Sequence, residues 1–422
     1  MITISPKKLR NQSVEVPGSK SYTHRMLIAA ALSDGQCMIS NGLDSDDTRL
    51  TLAALNQMGT GYNKIGGQFG LDGNRGRLAP RTDPIYLGNS GTSMRLITAV
   101  AALGRGKYLL TGSERMTQRP IQDLLDALIQ IGVSARAVNQ DGCPPVEVIA
   151  GAIKGGETTV NCQTSSQYLS ALMLIAPYTQ KGLRINVSKG PVSKPYVDMT
   201  IEVMQRMGVE VSRQGYTRFD IEGGQVYRSG MYAIEPDCSQ AGYFWAAGAI
   251  TGATIKVSGI TRDTRQGDVN FTKVLKKMGC TVDDTPEGIA VSGGRLEGID
   301  VDMGDMPDLV PTLAVVAAFA KGKTRIRDVA HLRAKESDRL TAVATELGRM
   351  GINVTEKKDG LNIVGGRLKG AVIKTYDDHR IAMSFAIAGL VAKGVKIEDE
   401  KVVAKSFPNF WEVFEDLQDK RM

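Results

Sequence analysis

The residues GSKSYTHRMLIAAAL at positions 18–32 lead from a short polar segment into an apolar, Ala-rich run. The same arrangement returns five times, as GTSMRLITAVAAL at 91–103, SSQYLSALMLIAP at 165–177, CSQAGYFWAAGAI at 238–250, DLVPTLAVVAAFA at 308–320 and DHRIAMSFAIAGL at 378–390. Counted from equivalent positions (Ser19, Gly91, Ser165, Ser239, Asp308 and Asp378), the spacings are 72, 74, 74, 69 and 70 residues. A constant period of this length indicates an internal repeat of one supersecondary unit.

A second series of marks has the same period. Amphipathic stretches end in Met-Gly or Ile-Gly at Gly59, Gly132, Gly208, Gly279 and Gly351, at spacings of 73, 76, 71 and 72 residues. Glycine just past a helix end is the usual left-handed cap, and β-rich runs follow these glycines. Each unit is therefore predicted to contain a helix, a strand, a second helix and further strands.

The two helices of a unit differ in their apolar pattern. The first is apolar nearly all round, as a buried helix should be, whereas the second has one apolar stripe. In VNFTKVLKKMG the stripe is formed by Val269, Val274, Leu275 and Met278, which alternate with Lys273, Lys276 and Lys277. The pattern predicts an α/β fold in which six units form two domains of three, with the boundary near residues 232–236. The first strand, MITISP, could belong to either half.

Composition excludes several classes of protein. The chain has 422 residues, a formal net charge of +7 and 5% aromatic residues, without a long basic run. These values fit anionic ligands better than nucleic acid. The five cysteines and three histidines are scattered without metal-binding spacing, so we expect neither a disulfide framework nor a metal. The start lacks the apolar core of a signal peptide, and the longest apolar run is too short to cross a bilayer, so we expect a cytoplasmic protein.

The chemistry is expected where the buried helices begin. A helix N-terminus carries partial positive charge and exposed N–H groups, which attract anions. Basic residues stand at or near several of these starts: Lys20, Arg25, Arg95, Arg119, Lys194, Arg333, Lys335, Arg339, His379, Arg380 and Lys405. If the two domains face each other, these groups could line one positive cleft for a ligand with phosphate and carboxylate groups.

Each segment alone also has a plain structural interpretation. GSKS fails as a P-loop and could be an ordinary helix cap, and SSQ could be a hydroxyl cap. KESDR could be a solvated first turn in which Glu336 pairs with Arg339, and DDHR a cap with a structural histidine. GNSGTSMR could be a glycine-rich turn. No G-x-G-x-x-G motif supports a dinucleotide fold. The shared position of these segments in a repeat favours the functional interpretation.

These segments, in this order, resemble 5-enolpyruvylshikimate-3-phosphate (EPSP) synthase, the enolpyruvyl transferase family of the shikimate pathway. The resemblance runs over essentially the whole chain and rests on the motifs PGSKSYTHR, LDSDDTR, LGNSGTSMR, RPIQDLLDAL, SSQYLSAL, VSKPYVDMT, QGDVNFTKVLKKMG, KESDRL, YDDHRIAMSF and KSFP. It implies two similar domains of three βαβαββ repeats, an inside-out α/β barrel with the active site in the interdomain cleft. The implied domains are residues 13–234, on the shikimate 3-phosphate side, and residues 1–12 with 235–422, which carry the catalytic carboxylates.

The resemblance also implies the reaction and its residues. The enolpyruvyl group of phosphoenolpyruvate would pass to the 5-hydroxyl of shikimate 3-phosphate, with release of phosphate and without a cofactor, toward chorismate and the aromatic amino acids. The implied catalytic residues are Asp308, Glu336 and Lys20. Shikimate 3-phosphate would be bound by Lys20, Ser21, Arg25, Ser165, Ser166, Gln167, Ser193, Tyr196, Asp308, His331 and Lys335. Phosphoenolpyruvate would be bound by Lys20, Gly91, Arg119, Gln167, Arg339, Arg380 and Lys405.

Two alternatives stay open at this point. A UDP-N-acetylglucosamine enolpyruvyl transferase shares the fold but usually carries a reactive Cys in a mobile loop, and GSERMTQRP has none. A non-catalytic polyanion binder would fit the basic balance of the chain. The resemblance further implies inhibition by glyphosate, and we expect a monomer.

Overall fold

The computed structural model describes residues 1–417, which fold into two compact units. Gly18–Glu235 form one, called here the central unit. Met1–Pro17 and the chain from Pro236 onward form the other, called the split unit. Both alternate helices and strands in repeated order, which confirms the predicted α/β class.

The N-terminal segment and the central unit contain fourteen strands and six α-helices. The N-terminal segment forms β1 (Ile2–Ile4) and β2 (Gln12–Val14). The first repeat contains α1 (Lys20–Ala31), β3 (Gln36–Ser40), α2 (Asp46–Gln57), β4 (Gly61–Ile65) and β5 (Gln68–Asp72). The second contains β6 (Ile85–Tyr86), α3 (Gly91–Ala102), β7 (Gly106–Thr111), α4 (Gln122–Gln130), β8 (Ser134–Ala137) and β9 (Val146–Ala150). The third contains β10 (Gly156–Asn161), α5 (Gln167–Ile175), β11 (Leu183–Lys189), α6 (Pro195–Arg206), β12 (Ser212–Gln214) and β13 (Arg218–Ile221), and β14 (Gly230–Ala233) follows it.

The remainder of the split unit has the same order of elements. The fourth repeat contains α7 (Cys238–Thr251), β15 (Thr254–Ser258), α8 (Phe271–Lys277), β16 (Thr281–Thr285) and β17 (Gly288–Ser292). The fifth contains β18 (Asp300–Asp302), α9 (Val310–Ala318), β19 (Lys323–Arg327), α10 (Arg339–Arg349), β20 (Asn353–Lys357) and β21 (Gly360–Val364). The sixth contains β22 (Val372–Ile373), α11 (His379–Gly389), β23 (Val395–Ile397) and α12 (Phe410–Asp416).

In the part of the chain that the structure describes, five of the six sheets have four strands with one topology. In the second repeat, β6 lies parallel to β7, which pairs antiparallel with β9, and β8 pairs with the far edge of β9. The first repeat takes its parallel edge strand, β14, from the end of the central unit, and the fourth takes β2 from the N-terminus. In the sixth sheet β1 pairs antiparallel with β23. Strands from one end of each unit thus tie its first and last repeats together.

The first helix of each repeat lies in the interior, as its apolar pattern predicts. Helices α1, α3 and α5 belong to the core of the central unit, and α7, α9 and α11 to that of the split unit. Every residue of α11 is buried, as are all residues of α3 except Thr92. Alanine-rich helices can be enclosed in this way because small side chains let neighbouring elements approach closely.

The second helix of each repeat covers the outside. In α8 and its flanking turns, Val269, Val274, Leu275 and Met278 are buried, while the three lysines between them are exposed, which confirms the predicted stripe. The glycines that follow these outer helices have φ values between +83° and +110°, so the predicted left-handed caps are confirmed as well: Gly59, Gly132, Gly208, Gly279 and Gly351.

Two of these caps differ in their surroundings and allow a matched test. A Cβ atom on Gly279 would lie 2.4 Å from the carbonyl oxygen of Arg295, whereas no atom lies within 4 Å of the corresponding position on Gly132. Gly132→Ala should therefore cost only the left-handed backbone penalty of about 1–2 kcal/mol. Gly279→Ala should cost roughly 1–3 kcal/mol more because the backbone must move. Urea unfolding of both variants checks this, and equal losses would contradict it.

Candidate active site

In the central unit, hydrogen bonds gather the starts of three helices. Lys20 is the first residue of α1, and its ammonium donates to the carboxylate of Asp47 in α2 at 3.1 Å. The main-chain carbonyl of Asp47 accepts from the hydroxyl of Ser93 in α3 at 3.2 Å. The Lys20 side chain is 11% exposed. The Lys20 ammonium therefore lies where the N-termini of α1, α2 and α3 meet.

Gln167 joins the start of α5 to the same region. Its side-chain oxygen accepts from Arg95 at 3.1 Å, and its amide nitrogen donates to the hydroxyl of Thr92 at 2.9 Å. Ser165 and Ser166, which precede it, are buried, and the hydroxyl of Ser165 accepts from the main-chain N–H of Gln167. The predicted Ser-Ser-Gln segment thus lies beside α3.

Gly91 allows two arginines to lie close to the main chain of α3. A Cβ atom there would be 2.3 Å from a terminal nitrogen of Arg119 and 2.5 Å from one of Arg95. Arg119 is 3% exposed and donates to the carbonyl and the side-chain oxygen of Asn89. A side chain at position 91 would therefore have to displace both guanidinium groups.

Arg25 lies deeper, between three helices. Its guanidinium donates to the hydroxyls of Thr200 and Ser170 and to the carbonyls of Ser21 and Tyr196. Burial lowers the pKa of Arg25 to about 10, so the group stays charged at neutral pH. Arg25 thus holds α1 against α5 and α6 through its contacts with protein groups.

Ser193, which precedes α6, is buried and has a left-handed φ of 53°.

In the split unit, Arg339 is the centre of a cluster of charged side chains with Asp308, Glu336 and Asp378. Its guanidinium is 2% exposed and donates to Asp308 at 2.8 Å, to Glu336 at 2.9 Å and to Asp378 at 2.8 Å. Ser337 also donates to Asp378. Burial opposes the charge of Arg339, but Asp378 and the other two carboxylates raise its pKa well above the ordinary value. The pair of Glu336 with Arg339 is therefore buried, not part of a solvated turn.

Arg380 is the second buried cation of this cluster. It donates to the other oxygen of Asp308 at 3.0 Å, to the hydroxyl of Ser239 at 2.8 Å and to that of Tyr243 at 3.2 Å. Asp378 caps α11 by accepting from the main-chain N–H of Arg380. Asp308 thus bridges two arginines that stand 41 residues apart in the chain.

Three further sequence candidates lie in or near this cluster. His331 is buried, and burial followed by the charge of Lys335 lowers the pKa of His331 to about 3, so the imidazole is neutral at pH 7. Lys335 is partly exposed. Lys405 ends a short 3-10 helix, and the carbonyl of the next residue, Ser406, accepts from Gln240 in the first turn of α7.

Asp268, which the sequence analysis did not select, lies beside these groups. It is 4% exposed, and among the described residues its Oδ1 atom has no hydrogen-bond partner. Burial, and then the negative charge of Asp308, raise the pKa of Asp268 to about 8 against the opposing effect of Arg380. Asp268 is therefore mostly protonated at neutral pH.

The position of Asp268 depends on a distant element. The side chain of Gln266 accepts from the main-chain N–H of Cys238 at 3.1 Å and donates to the carbonyl of Pro236 at 2.8 Å. These bonds fix the turn that contains Asp268 to the start of α7. No local pattern in the sequence distinguishes this carboxyl from one in a solvated turn, because the charged groups near it, Asp237, Asp308 and Arg380, lie 31 or more residues away in sequence.

Asp47 is a further polar group of the cluster that was not among the predicted site residues. It stands within the motif LDSDDTR, which contributes to the family resemblance. Among residues 1–417, no group of three His, Cys, Asp or Glu side chains could hold a metal ion. In the same part of the chain, helices of a length and hydropathy suited to spanning a membrane are absent.

Within residues 1–417, five repeats have a common four-stranded sheet and the sixth has three strands, and cations and carboxylates stand at the starts of the buried helices. This is the α/β architecture of the enolpyruvyl transferase class that the motifs implied. A family model described as EPSP synthase (3-phosphoshikimate 1-carboxyvinyltransferase) matches residues 5–414. The chain belongs to this family, which confirms the resemblance drawn from its motifs.

Individual relatives agree with the family match. The chain is 44% identical to a 3-phosphoshikimate 1-carboxyvinyltransferase of Syntrophobacter fumaroxidans, over 99% of both chains. It is 43% identical to one of Yersinia pseudotuberculosis, over 98% of this chain and 97% of the relative. Among solved structures it is similar to an EPSP synthase from Acinetobacter baumannii, with a TM-score of 0.82 and 28% identity over 99% of this chain and 97% of that one. These comparisons do not favour a UDP-N-acetylglucosamine enolpyruvyl transferase or a non-catalytic polyanion binder.

The raised pKa of Asp268 makes a prediction about stability. A carboxyl that keeps its proton in the folded state up to about pH 8, but loses it near pH 4 when unfolded, destabilises the folded state as the pH rises between these values. Asp268→Asn removes this titration. The stability of the wild type relative to Asp268→Asn should therefore fall from pH 5 to pH 8, by up to about 1.4 kcal/mol per pH unit. Denaturant unfolding at several pH values measures this, and parallel curves would exclude it.

Proposed function

We propose that this chain transfers the enolpyruvyl group of phosphoenolpyruvate to the 5-hydroxyl of shikimate 3-phosphate and releases phosphate. The observation that carries the proposal is the buried cluster of Arg339 and Arg380 with Asp308 and Glu336. The reaction needs cations for two anionic substrates and carboxylates for proton transfer, and this cluster contains both. The family of the chain and its relatives support the same reaction.

In the proposed addition step, Glu336 delivers a proton to the C3 methylene of phosphoenolpyruvate. Asp308 takes the proton of the 5-hydroxyl as the hydroxyl oxygen forms a bond to C2. In the elimination step the bond from C2 to the phosphate oxygen breaks, and phosphate leaves with the electron pair and takes up the proton held by Asp308. A C3 proton returns to Glu336 as the double bond forms, so both carboxylates regain their starting state. General acid–base catalysis of this kind typically contributes about 10²–10⁴-fold to a rate.

The arginines are proposed to bind the phosphoenolpyruvate anion with Lys405. Arg339 and Arg380 now donate to Asp308, so an entering carboxylate or phosphate group would compete for the same N–H donors. Gly91, Arg119 and Gln167 of the central unit are proposed to contribute to this binding. Positive groups placed in advance where negative charge develops are usually the largest electrostatic contribution to catalysis.

Shikimate 3-phosphate is proposed to bind mainly to the central unit. Lys20 would contact both substrates and carry protons, and its present partner, Asp47, would hold the ammonium in place. The remaining contacts are proposed for hydroxyls, an amide and basic groups of both units: Ser21, Arg25, Ser165, Ser166, Gln167, Ser193, Tyr196, Asp308, His331 and Lys335. In this proposal the central unit mainly binds shikimate 3-phosphate, and the split unit carries the catalytic carboxylates Asp308 and Glu336.

The decisive measurement is phosphate release by the purified protein. It should require both substrates, and neither alone should suffice. Glu336→Gln should lower kcat at least about 100-fold, because the amide keeps the shape and cannot deliver the proton. It should also lower thermal stability, because the buried Arg339 loses one of its three carboxylate partners, so kcat is compared at a temperature at which the variant is fully folded. Glu287→Gln, which changes a carboxylate that is 70% exposed, is the control and should behave like the wild type. No release from the two substrates would refute the proposal, and near-native turnover in Glu336→Gln would refute the assigned role.

Glyphosate is proposed to compete with phosphoenolpyruvate at the cluster around Gly91. A methyl group in Gly91→Ala would displace Arg119 and Arg95, because it would lie within 2.5 Å of both guanidinium groups. The variant should raise the inhibition constant of glyphosate and the KM for phosphoenolpyruvate, by about tenfold or more for a loss of roughly 1.4 kcal/mol in binding. The KM for shikimate 3-phosphate should change much less. Unchanged inhibition would exclude this site for glyphosate.

A further inference from the structure

The segment between β22 and α11 makes a tight turn with an unusual residue at its centre. Tyr376 and Asp377 have φ values of 56° and 54°, and the main-chain N–H of Asp378 donates to the carbonyl of Thr375 at 2.9 Å. A turn in which both central residues have positive φ usually contains Asn, Asp or Gly. The bulky Tyr376 is unfavourable in this conformation, so contacts outside the turn must stabilise it.

Glu346 of α10 makes those contacts. Its carboxylate is fully buried, accepts from the hydroxyl of Tyr376 at 2.8 Å and accepts from the main-chain N–H of Lys374 at 3.2 Å. Arg349, one helical turn further on, neutralises the same carboxylate from the solvent side. Burial and the bond to Glu346 raise the pKa of Tyr376 to about 12, so the phenol keeps the proton that it donates. One carboxylate thus holds the turn at two points.

The turn leads directly to Asp378, the N-cap of α11, which is completely buried. Asp378 accepts from Arg339 through two guanidinium nitrogens, at 2.8 and 3.2 Å. Arg339 begins α10, and Glu346 lies two turns further along the same helix. Helix α10 is therefore attached to the Thr375–Asp378 segment at both ends, by Arg339 to Asp378 and by Glu346 to Tyr376.

We propose that Glu346 and Tyr376 are positioning residues that orient Asp378 and, through it, the Arg339 guanidinium. The expected effect on catalysis rests on the proposed function, in which Arg339 binds phosphoenolpyruvate. The expected effect on the orientation of Arg339 does not rest on the proposed function, because it follows from the hydrogen bonds within the split unit.

Three variants separate positioning from simple stabilisation. Tyr376→Phe removes only the hydroxyl that reaches Glu346. Glu346→Gln removes the negative charge and leaves a single acceptor oxygen, which can accept from Tyr376 or from the main chain of Lys374 but not from both in the present arrangement. Arg349→Gln is the matched control, because it removes the ion pair to the same carboxylate and leaves both turn contacts in place; the Arg349 side chain is 48% exposed.

The first readout is steady-state kinetics of phosphate release. Tyr376→Phe should lower kcat/KM for phosphoenolpyruvate about tenfold, while the KM for shikimate 3-phosphate stays within about twofold. Glu346→Gln should have a smaller effect in the same direction, and Arg349→Gln should match the wild type. A Tyr376→Phe variant with a lower melting temperature and unchanged kinetics would overturn the proposal, because Glu346 and Tyr376 would then only stabilise the fold.

The second readout is the NMR signal of the Arg339 Nε–H group, assigned with an Arg339→Lys variant. In Tyr376→Phe this signal should shift and its hydrogen exchange should accelerate, since the bond to Asp378 loosens, whereas Arg349→Gln should leave both unchanged. An unchanged signal in Tyr376→Phe would overturn the proposal. If the wild type did not release phosphate, the proposed function would fail, and this measurement would still decide the role of Glu346 and Tyr376.

Discussion

The buried charge on Arg339 constrains the rest of the split unit. Moving a guanidinium out of water costs several kcal/mol, and only close carboxylates with good hydrogen-bond geometry offset that cost. Asp308, Glu336 and Asp378 supply them from segments at the starts of α9, α10 and α11. Removing any of the three would leave part of a buried charge uncompensated. Burial, and then the negative charge of Asp308, raise the pKa of the neighbouring Asp268, which therefore keeps its proton at neutral pH.

The central unit also contains a buried cation, Arg25, but hydroxyls and main-chain carbonyls accept its hydrogen bonds there. Among the residues that the structure describes, four neutral oxygens accept hydrogen bonds from the buried Arg25, and no carboxylate does. Lys20 has a carboxylate partner, Asp47, and stays partly accessible. Hydrogen bonds from a charged donor to neutral acceptors can satisfy the group without cancelling its charge. The two units thus share a fold but present different chemistry at their helix starts.

Much of the fold could be predicted from the repeat. The buried helices, the amphipathic outer helices and the glycine caps depend on periodicity and local conformation, and the structure has them where the pattern indicated. The roles of the predicted site residues came only from the resemblance of the motifs to a family, because a residue such as Glu336 has no local pattern that differs from a surface pair. Asp378 was not among the predicted site residues, since its local pattern is that of a helix cap. Asp47, Asp268 and Glu346 have no local pattern that marks them, because the groups that give each its setting, Lys20, Asp308 and Tyr376 respectively, lie 27, 40 and 30 residues away in sequence.

The sequence by itself determined six repeats, their buried and exposed helix faces and the family of the chain, since each of these depends on spacing or on short motifs. Only the tertiary structure decided which polar side chains lose contact with water. That choice depends on which elements pack against one another: the Gln266 segment against α7, the turn at Tyr376 against α10, and the segment before α9 against Arg339. Burial, nearby charges and hydrogen bonds set the protonation state of a side chain, and all three come from packing between distant elements.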